Sequence, residues 1–210
     1  MDKRYNVLIV EDNPLERKLF EMLFKESEKY NIVASIESAS FAEVYCIKKH
    51  IDLIIMDVLT ALDSSGLEFA KRIKSKYKEI KIIIVTSQPE YDFLKRARDG
   101  GVDSFWYKNS DESGFMDVVD RTIRGESVYP AHSLEIKLGL ADSSEFTKRE
   151  IQVLRELLSG ATDEAIAKRL DISIYTVKKH IKSMFLKTGF TSRTQLAVNA
   201  REKGFVISGF

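Results

Sequence analysis

Residues 53–57 read Leu-Ile-Ile-Met-Asp: four apolar side chains without polar alternation, closed by a carboxylate. A short run of this kind is expected of a strand buried on both faces, as in a parallel sheet covered by helices. Val7–Val10 and Ile82–Val85 repeat the pattern and are rich in β-branched residues, so the three runs are read as central parallel strands. The segments between them carry apolar residues at helical spacing: Leu15, Leu19, Met22 and Leu23, then Phe41, Val44, Tyr45 and Ile47, then Leu67, Ala70, Ile73 and Tyr77. Ile32–Ile36 and Ser104–Tyr107 read as weaker strands, with helices near Tyr91–Arg98 and Phe115–Arg124. Strand and helix therefore alternate through residues 1–125. That pattern predicts an α/β domain with a five-stranded, doubly wound parallel sheet.

Beyond it the pattern changes. Residues 125–140 carry two glycines and a proline without continuous periodicity, and residues 126–143 are expected to form a linker. Residues 144–210 show helical spacing at Lys148–Leu158, Asp163–Leu170, Ile174–Lys187 and Arg193–Lys203, which predicts a small all-α domain. Charge divides the same way. The net charge is +1, but the residues from Ser144 onward hold 12 Lys/Arg against 7 Asp/Glu, leaving 21 against 25 in the first 143. An acidic front joined to a basic tail suggests that the tail meets a polyanion.

With 44% apolar residues in 210, either one large or two small cores are within reach. The single cysteine, Cys46, has no internal disulfide partner and is read as a small core residue. The N-terminal stretch MDKRYNVLIVED contains no apolar run of signal-peptide length. The expectation is a cytoplasmic protein with no membrane contact. His50, His132, His180 and Cys46 lack the spacing of a zinc site.

In open α/β sheets ligands bind beyond the carboxyl ends of the strands. Here those ends carry Glu11-Asp12 on the first strand, Asp57 on the third, Thr86 on the fourth and Lys108 on the fifth. Three carboxylates at adjacent strand ends repel one another unless a cation sits among them. Mg²⁺ fits, since it prefers hard oxygen ligands and keeps waters that a phosphoryl donor can replace. The same groups suit phosphoryl transfer, with Asp57 attacking, Lys108 and the metal neutralising charge, and the Thr86 hydroxyl bonding a transferred oxygen. A phosphatase of the haloacid dehalogenase type needs a second acid two residues after its nucleophile, where this chain has Leu59. Dinucleotide binding fails too, because Glu11-Asp12-Asn13-Pro14 lacks the glycines for close phosphate approach.

This set of strand-end residues resembles the receiver domain of bacterial two-component response regulators, over about residues 5 to 124. The resemblance implies that Asp57 takes phosphate from a sensor histidine kinase. It also implies that Glu11, Asp12, Asp57 and the backbone carbonyl of Leu59 hold Mg²⁺, and that Thr86 and Phe105 switch position on phosphorylation. Such a domain catalyses its own phosphoryl transfer and loss, and is not otherwise an enzyme. Three positions depart from the family pattern: Asn109 follows the lysine where proline is common, Ala61 replaces another proline, and the switch aromatic is Phe105 in place of tyrosine.

In the tail, residues 165–181 (AIAKRLDISIYTVKKHI) read as helix, tight turn, helix, with Ser173 placed to cap the second helix. Val177 and Ile181 form its inner pair, so Lys178, Lys179 and Lys182 fall on other faces. Residues from Phe146 to Gly204, including Thr147, Arg149-Glu150, Gly160, Thr176-Val177, Lys187 and Gly189, are similar to the LuxR-type helix-turn-helix. Together the resemblances identify the chain as a member of the NarL/FixJ family. They imply that Thr176, Lys178, Lys179 and Lys182 meet double-stranded promoter DNA, with His180 either a further DNA contact or a packed residue of the helix surface, and that the last helix, with Leu196, Ala197, Val198 and Ala200, pairs with its copy in a homodimer. RNA polymerase is a candidate further partner. The competing expectation is a phosphorylation-independent DNA-binding regulator that keeps the receiver fold as a dimerisation scaffold.

Overall fold

The computed structural model describes residues 4–62, 64–87, 93–108, 114–131 and 136–206. They fall into two compact units, one ending at Ala131 and one beginning at Ile136. The first contains β1 (Tyr5–Val10), α1 (Pro14–Lys25), β2 (Tyr30–Ile36), α2 (Ala42–Lys48) and β3 (Leu53–Asp57). A two-residue hairpin, β4 (Leu59–Thr60) and β5 (Ser64–Ser65), leads into α3 (Gly66–Lys76), β6 (Lys81–Thr86), α4 (Phe93–Asp99), β7 (Ser104–Tyr107) and α5 (Phe115–Ile123). The five long strands form one parallel sheet in the order β2-β1-β3-β6-β7.

The apolar runs do what their composition requires. Val7–Val10, Leu53–Met56 and Ile82–Val85 have no exposed surface, because helices cover both faces of the sheet. The helices are where the periodicity puts them, but two turn a different face inward. In α1 the buried residues are Phe20 and Phe24, while Leu15, Leu19 and Met22 face solvent, Leu15 at 79% exposure. Aromatic area decides this: Phe20 packs tilted and Phe24 edge-on against Phe115, and Phe24 also meets Tyr30. In α2 the inward residues are Ala42 and Cys46, and Phe41, Val44 and Ile47 lie outside. Small side chains there let the helix backbone approach the sheet closely.

The stretch expected as a linker carries more structure than its composition promised. Val128 lies along the free edge of β7, accepting a hydrogen bond from the Phe105 N–H (2.8 Å) and donating its own N–H to Ser104 Oγ (3.0 Å). Tyr129 stacks on Phe105, donates to the Val102 carbonyl, and lies under the Arg98 guanidinium. Residues of the same stretch start the second unit as a hairpin, β8 (Lys137–Leu138) and β9 (Ala141–Asp142), whose Leu138 and Ala141 join the helical core.

That core is built by α6 (Lys148–Leu158), α7 (Asp163–Leu170), α8 (Ile174–Thr188) and α9 (Arg193–Glu202). Thr147, Thr162, Ser173 and Ser192 each cap a helix with a side-chain oxygen. Between α7 and α8 the chain reverses through Asp171 in the left-handed region (φ 51°), a conformation that aspartate tolerates better than most residues. Leu196 and Ala200 of α9 are buried in this unit's own core, so less of that helix is free for a partner than its sequence suggested. Val198 remains outside.

Candidate phosphoacceptor pocket and nucleic-acid interface

Strand order reverses between β1 and β3: β2 lies on one side of β1, and β6 and β7 follow β3 on the other. A crevice opens at such a point beyond the carboxyl ends of the strands. Register sets what faces it. Val10 pairs with Met56, Asp57 with Val85 and Thr86 with Tyr107, so Glu11, Asp57, Thr86 and Lys108 end neighbouring strands at one level. Lys108 is held there by its own N–H, which donates to the Thr86 carbonyl (2.9 Å).

Carboxylate oxygens of Glu11, Asp12 and Asp57 lie within 4.8 Å of one another. Glu11 is fully buried and Asp57 nearly so, whereas Asp12 is exposed. Three hard anionic donors so close together, one at the solvent edge, are a donor set suited to Mg²⁺. Leu59, two residues past Asp57, lies in the short β4 strand paired with Ser65.

The Lys108 ammonium reaches three carboxylates: Glu11 Oε2 at 2.6 Å, Asp57 Oδ2 at 3.1 Å, and Glu16 of α1. The other oxygen of Asp57 accepts the Val58 N–H (2.6 Å), and Glu11 Oε1 accepts the Asn13 N–H (3.2 Å). Burial pushes the Asp57 carboxyl up to about 6, against the pull of Lys108. Burial and the Asp57 charge push Glu11 up to about 8. Burial alone would lower Lys108, but Asp57, Glu11 and Glu16 together hold it above its ordinary value. Without a metal these buried carboxyls therefore tend to keep protons, which relieves the repulsion that one ammonium alone leaves.

Two residues outside the expected set shape this pocket. Arg17 donates to the backbone carbonyls of Glu11 (2.7 Å) and Asp12 (3.4 Å) while pairing with Glu37 (2.9 Å), which fixes the acidic loop from behind. Glu16 occupies the third donor of Lys108. Both lie in the first turn of α1, directly after the acidic loop, and that proximity was the only signal in the sequence. Thr86 and Phe105 are both buried, Phe105 between Tyr107 and Tyr129. The ring expected to switch position on phosphorylation lies inside in this structure. Ala61 is in the loop of the β4–β5 hairpin, and Asn109 lies outside the described residues.

In the second unit Ser173 Oγ accepts the Thr176 N–H at 3.0 Å and starts α8. Val177 is buried and Ile181 half-buried. Lys178, Lys179 and Lys182 are exposed, with Thr176 and His180 half-buried beside them. A groove of about 410 Å³ is lined by Lys178, Lys182 and Arg193 over an apolar floor of Ile181 and Phe185. Arg193 also ties α9 to α7 through the Ala161 carbonyl (2.8 Å) and Asp163 (3.2 Å). The far end of α8 is anchored: Lys187 pairs with the buried Glu150 (2.7 Å), and the Leu140 N–H donates to the Thr188 carbonyl.

Comparison with known proteins agrees with both halves. Residues 7–120 match the response regulator receiver domain family, and residues 144–200 match the bacterial regulatory proteins of the luxR family. The chain is a response regulator of the NarL/FixJ type. Among similar proteins, the response regulator protein VraR of Staphylococcus epidermidis is 30% identical over 205 residues, 95% of this chain and 98% of that one. The fimbriae Z protein of Escherichia coli K12 is 29% identical over 201 residues, 92% and 95% of the two chains. The fold of this response regulator is shared with RcsB of Salmonella enterica serovar Typhimurium bound to a promoter with a phosphomimetic (TM-score 0.64, 20% identity, 96% and 99% coverage). It is shared equally with two RcsB dimers bound to two parallel DNAs (TM-score 0.63, 21% identity, 95% and 98% coverage). Among the described residues no helix is long and apolar enough to cross a membrane.

Proposed function

We propose that this response regulator accepts a phosphoryl group on Asp57 from a sensor histidine kinase and, once modified, binds promoter DNA as a homodimer to control transcription. The observation that carries the reading is the gathering of Glu11, Asp12 and Asp57 at the sheet's reversal point, with Lys108 paired to Glu11 and Asp57. Mg²⁺ held by Glu11, Asp12, Asp57 and the Leu59 carbonyl would supply positive charge to the transferring oxygens. The protein's own groups do the rest. Asp57 presents an oxygen held by the Val58 N–H, Lys108 offers donors to the incoming group, and the buried Thr86 hydroxyl lies one strand away to bond it afterwards. No separate substrate is turned over; the protein catalyses only its own loading and loss. In the second unit Lys178, Lys179 and Lys182, with Thr176 and His180, are the groups we assign to DNA, as the exposed and flanking positions of the recognition helix.

Acetyl phosphate with Mg²⁺ tests the assignment: the intact chain gains one phosphoryl mass, and Asp57→Asn gains none. No gain on the wild type, with DNA binding intact, would favour the scaffold reading instead.

A further inference from the structure

An ammonium group has three N–H donors. In this pocket all three of those on Lys108 go to carboxylates, two of which belong to the acid cluster and the third to Glu16. Glu16 is given no part in the transfer described above. Its place is nevertheless fixed. The Asn13 side chain, capping α1, accepts the Glu16 N–H, and the neighbouring Arg17 is pinned to the acidic loop. The Lys108 side chain is 8% exposed and that of Glu16 is 33% exposed, so the pair bridges the buried floor of the pocket and its rim.

When Asp57 is loaded, its oxygen bonds to phosphorus, the bond from phosphorus to the donor's leaving atom breaks (a histidine ring nitrogen in the kinase, the bridging oxygen in acetyl phosphate), and the leaving group departs with the electron pair. Lys108 gives up no proton and only exchanges hydrogen-bond acceptors. The loaded pocket, however, carries an added anion beside an ammonium that Glu16 already holds. We propose that Glu16 is a positioning residue for this transfer: its carboxylate is the resting acceptor for the Lys108 ammonium and competes with the phosphoryl group for it, restraining both loading and retention. This rests on the assignment of Asp57 as phosphoacceptor.

The test uses the full chain with saturating Mg²⁺. Beryllofluoride binding is followed by the fluorescence of Trp106, the single tryptophan, two residues from Lys108. Loading from acetyl phosphate is followed by mass. Glu16→Gln, nearly isosteric but neutral, is expected to bind beryllofluoride about tenfold more tightly, on the order of 1.4 kcal/mol, and to load faster. Glu16→Asp, which keeps the charge, returns toward wild type. In a Lys108→Ala background, itself impaired, the Glu16→Gln change has no further effect, because the competition runs through that ammonium. Affinity in Glu16→Gln equal to or below wild type overturns the proposal, as does a gain that persists without Lys108. A wild type that neither binds beryllofluoride nor gains mass instead removes the Asp57 assignment, and this proposal with it.

Discussion

Gly66→Ala separates local propensity from the geometry of the pocket. Gly66 is the first residue of α3, and its N–H donates to the Val58 carbonyl at 2.8 Å. By helix propensity alone, alanine there would add up to about 1 kcal/mol of stability. A Cβ at that position, however, would fall 1.8 Å from the Asp57 carbonyl oxygen and 2.9 Å from Met56 Cγ. Ordinary contact lies near 3.5 Å, so the two backbones must part by roughly 1.5 Å. The neighbour is main chain of a central strand and has no rotamer through which to yield. Overpacking of that kind costs about 3 kcal/mol, which outweighs the propensity gain. The first unit should then melt roughly 10 °C lower by circular dichroism. Because the displaced residue is the proposed phosphoacceptor, loading from acetyl phosphate should also fall about 100-fold, the usual consequence of a 1 Å misplacement. A Gly66→Ala protein that melts at or above the wild-type temperature and loads normally would refute the reasoning.

Other expectations follow from the same contacts. Glu11 and Asp57 are held above ordinary carboxyl values by burial, so Mg²⁺ must displace protons; its affinity, measured by Trp106 fluorescence, should rise from pH 5 to about pH 8 and flatten beyond. By the same linkage the metal-free first unit should lose stability over that range, since both groups ionise at a cost only when folded. Glu150 is the opposite case: despite burial, bonds from Lys187, Thr147 and Ser183 bring its carboxyl down to about 2, so stability of the second unit is present above pH 4.5 and lost as pH falls toward 2. Denaturant melts of the second unit should show Glu150→Gln less stable at pH 7 and no worse than wild type at pH 2. For DNA, Lys178→Ala with Lys182→Ala should weaken binding and reduce the slope of log affinity against log salt by about 2. An unchanged slope would remove both lysines from the phosphate contacts.

The strands and the pocket were legible because both follow from one-dimensional pattern. A doubly buried strand needs an unbroken apolar run, and the residue after each run must emerge at the sheet's carboxyl edge. The inward faces of α1 and α2 were not legible. Leu15, Leu19 and Met22 keep helical spacing as well as Phe20 and Phe24 do, and only the three-dimensional meeting with Phe115 chooses between them. Nor could spacing show that Val128 and Tyr129 line the edge of β7, since two residues make no period. Arg17 and Glu16 escaped notice for a related reason. Charged residues in a first helical turn are ordinary surface chemistry until a neighbouring loop gives them something to hold. In the tail, the turn at Asp171 and the cap at Ser173 were both readable, because each needs only local residues.

The anchoring of α8 at its far end bears on how strongly the second unit grips its target. Lys187 on Glu150 and Thr188 under Leu140 fix that end of the helix before any ligand arrives. The rotational freedom a loose helix would surrender on docking has therefore been surrendered during folding. Weakening this anchor should lower affinity by the same factor for every operator and for random sequence alike, leaving base preference untouched. Under the proposed assignment, contact with bases falls to one end of the rod and preorganisation to the other.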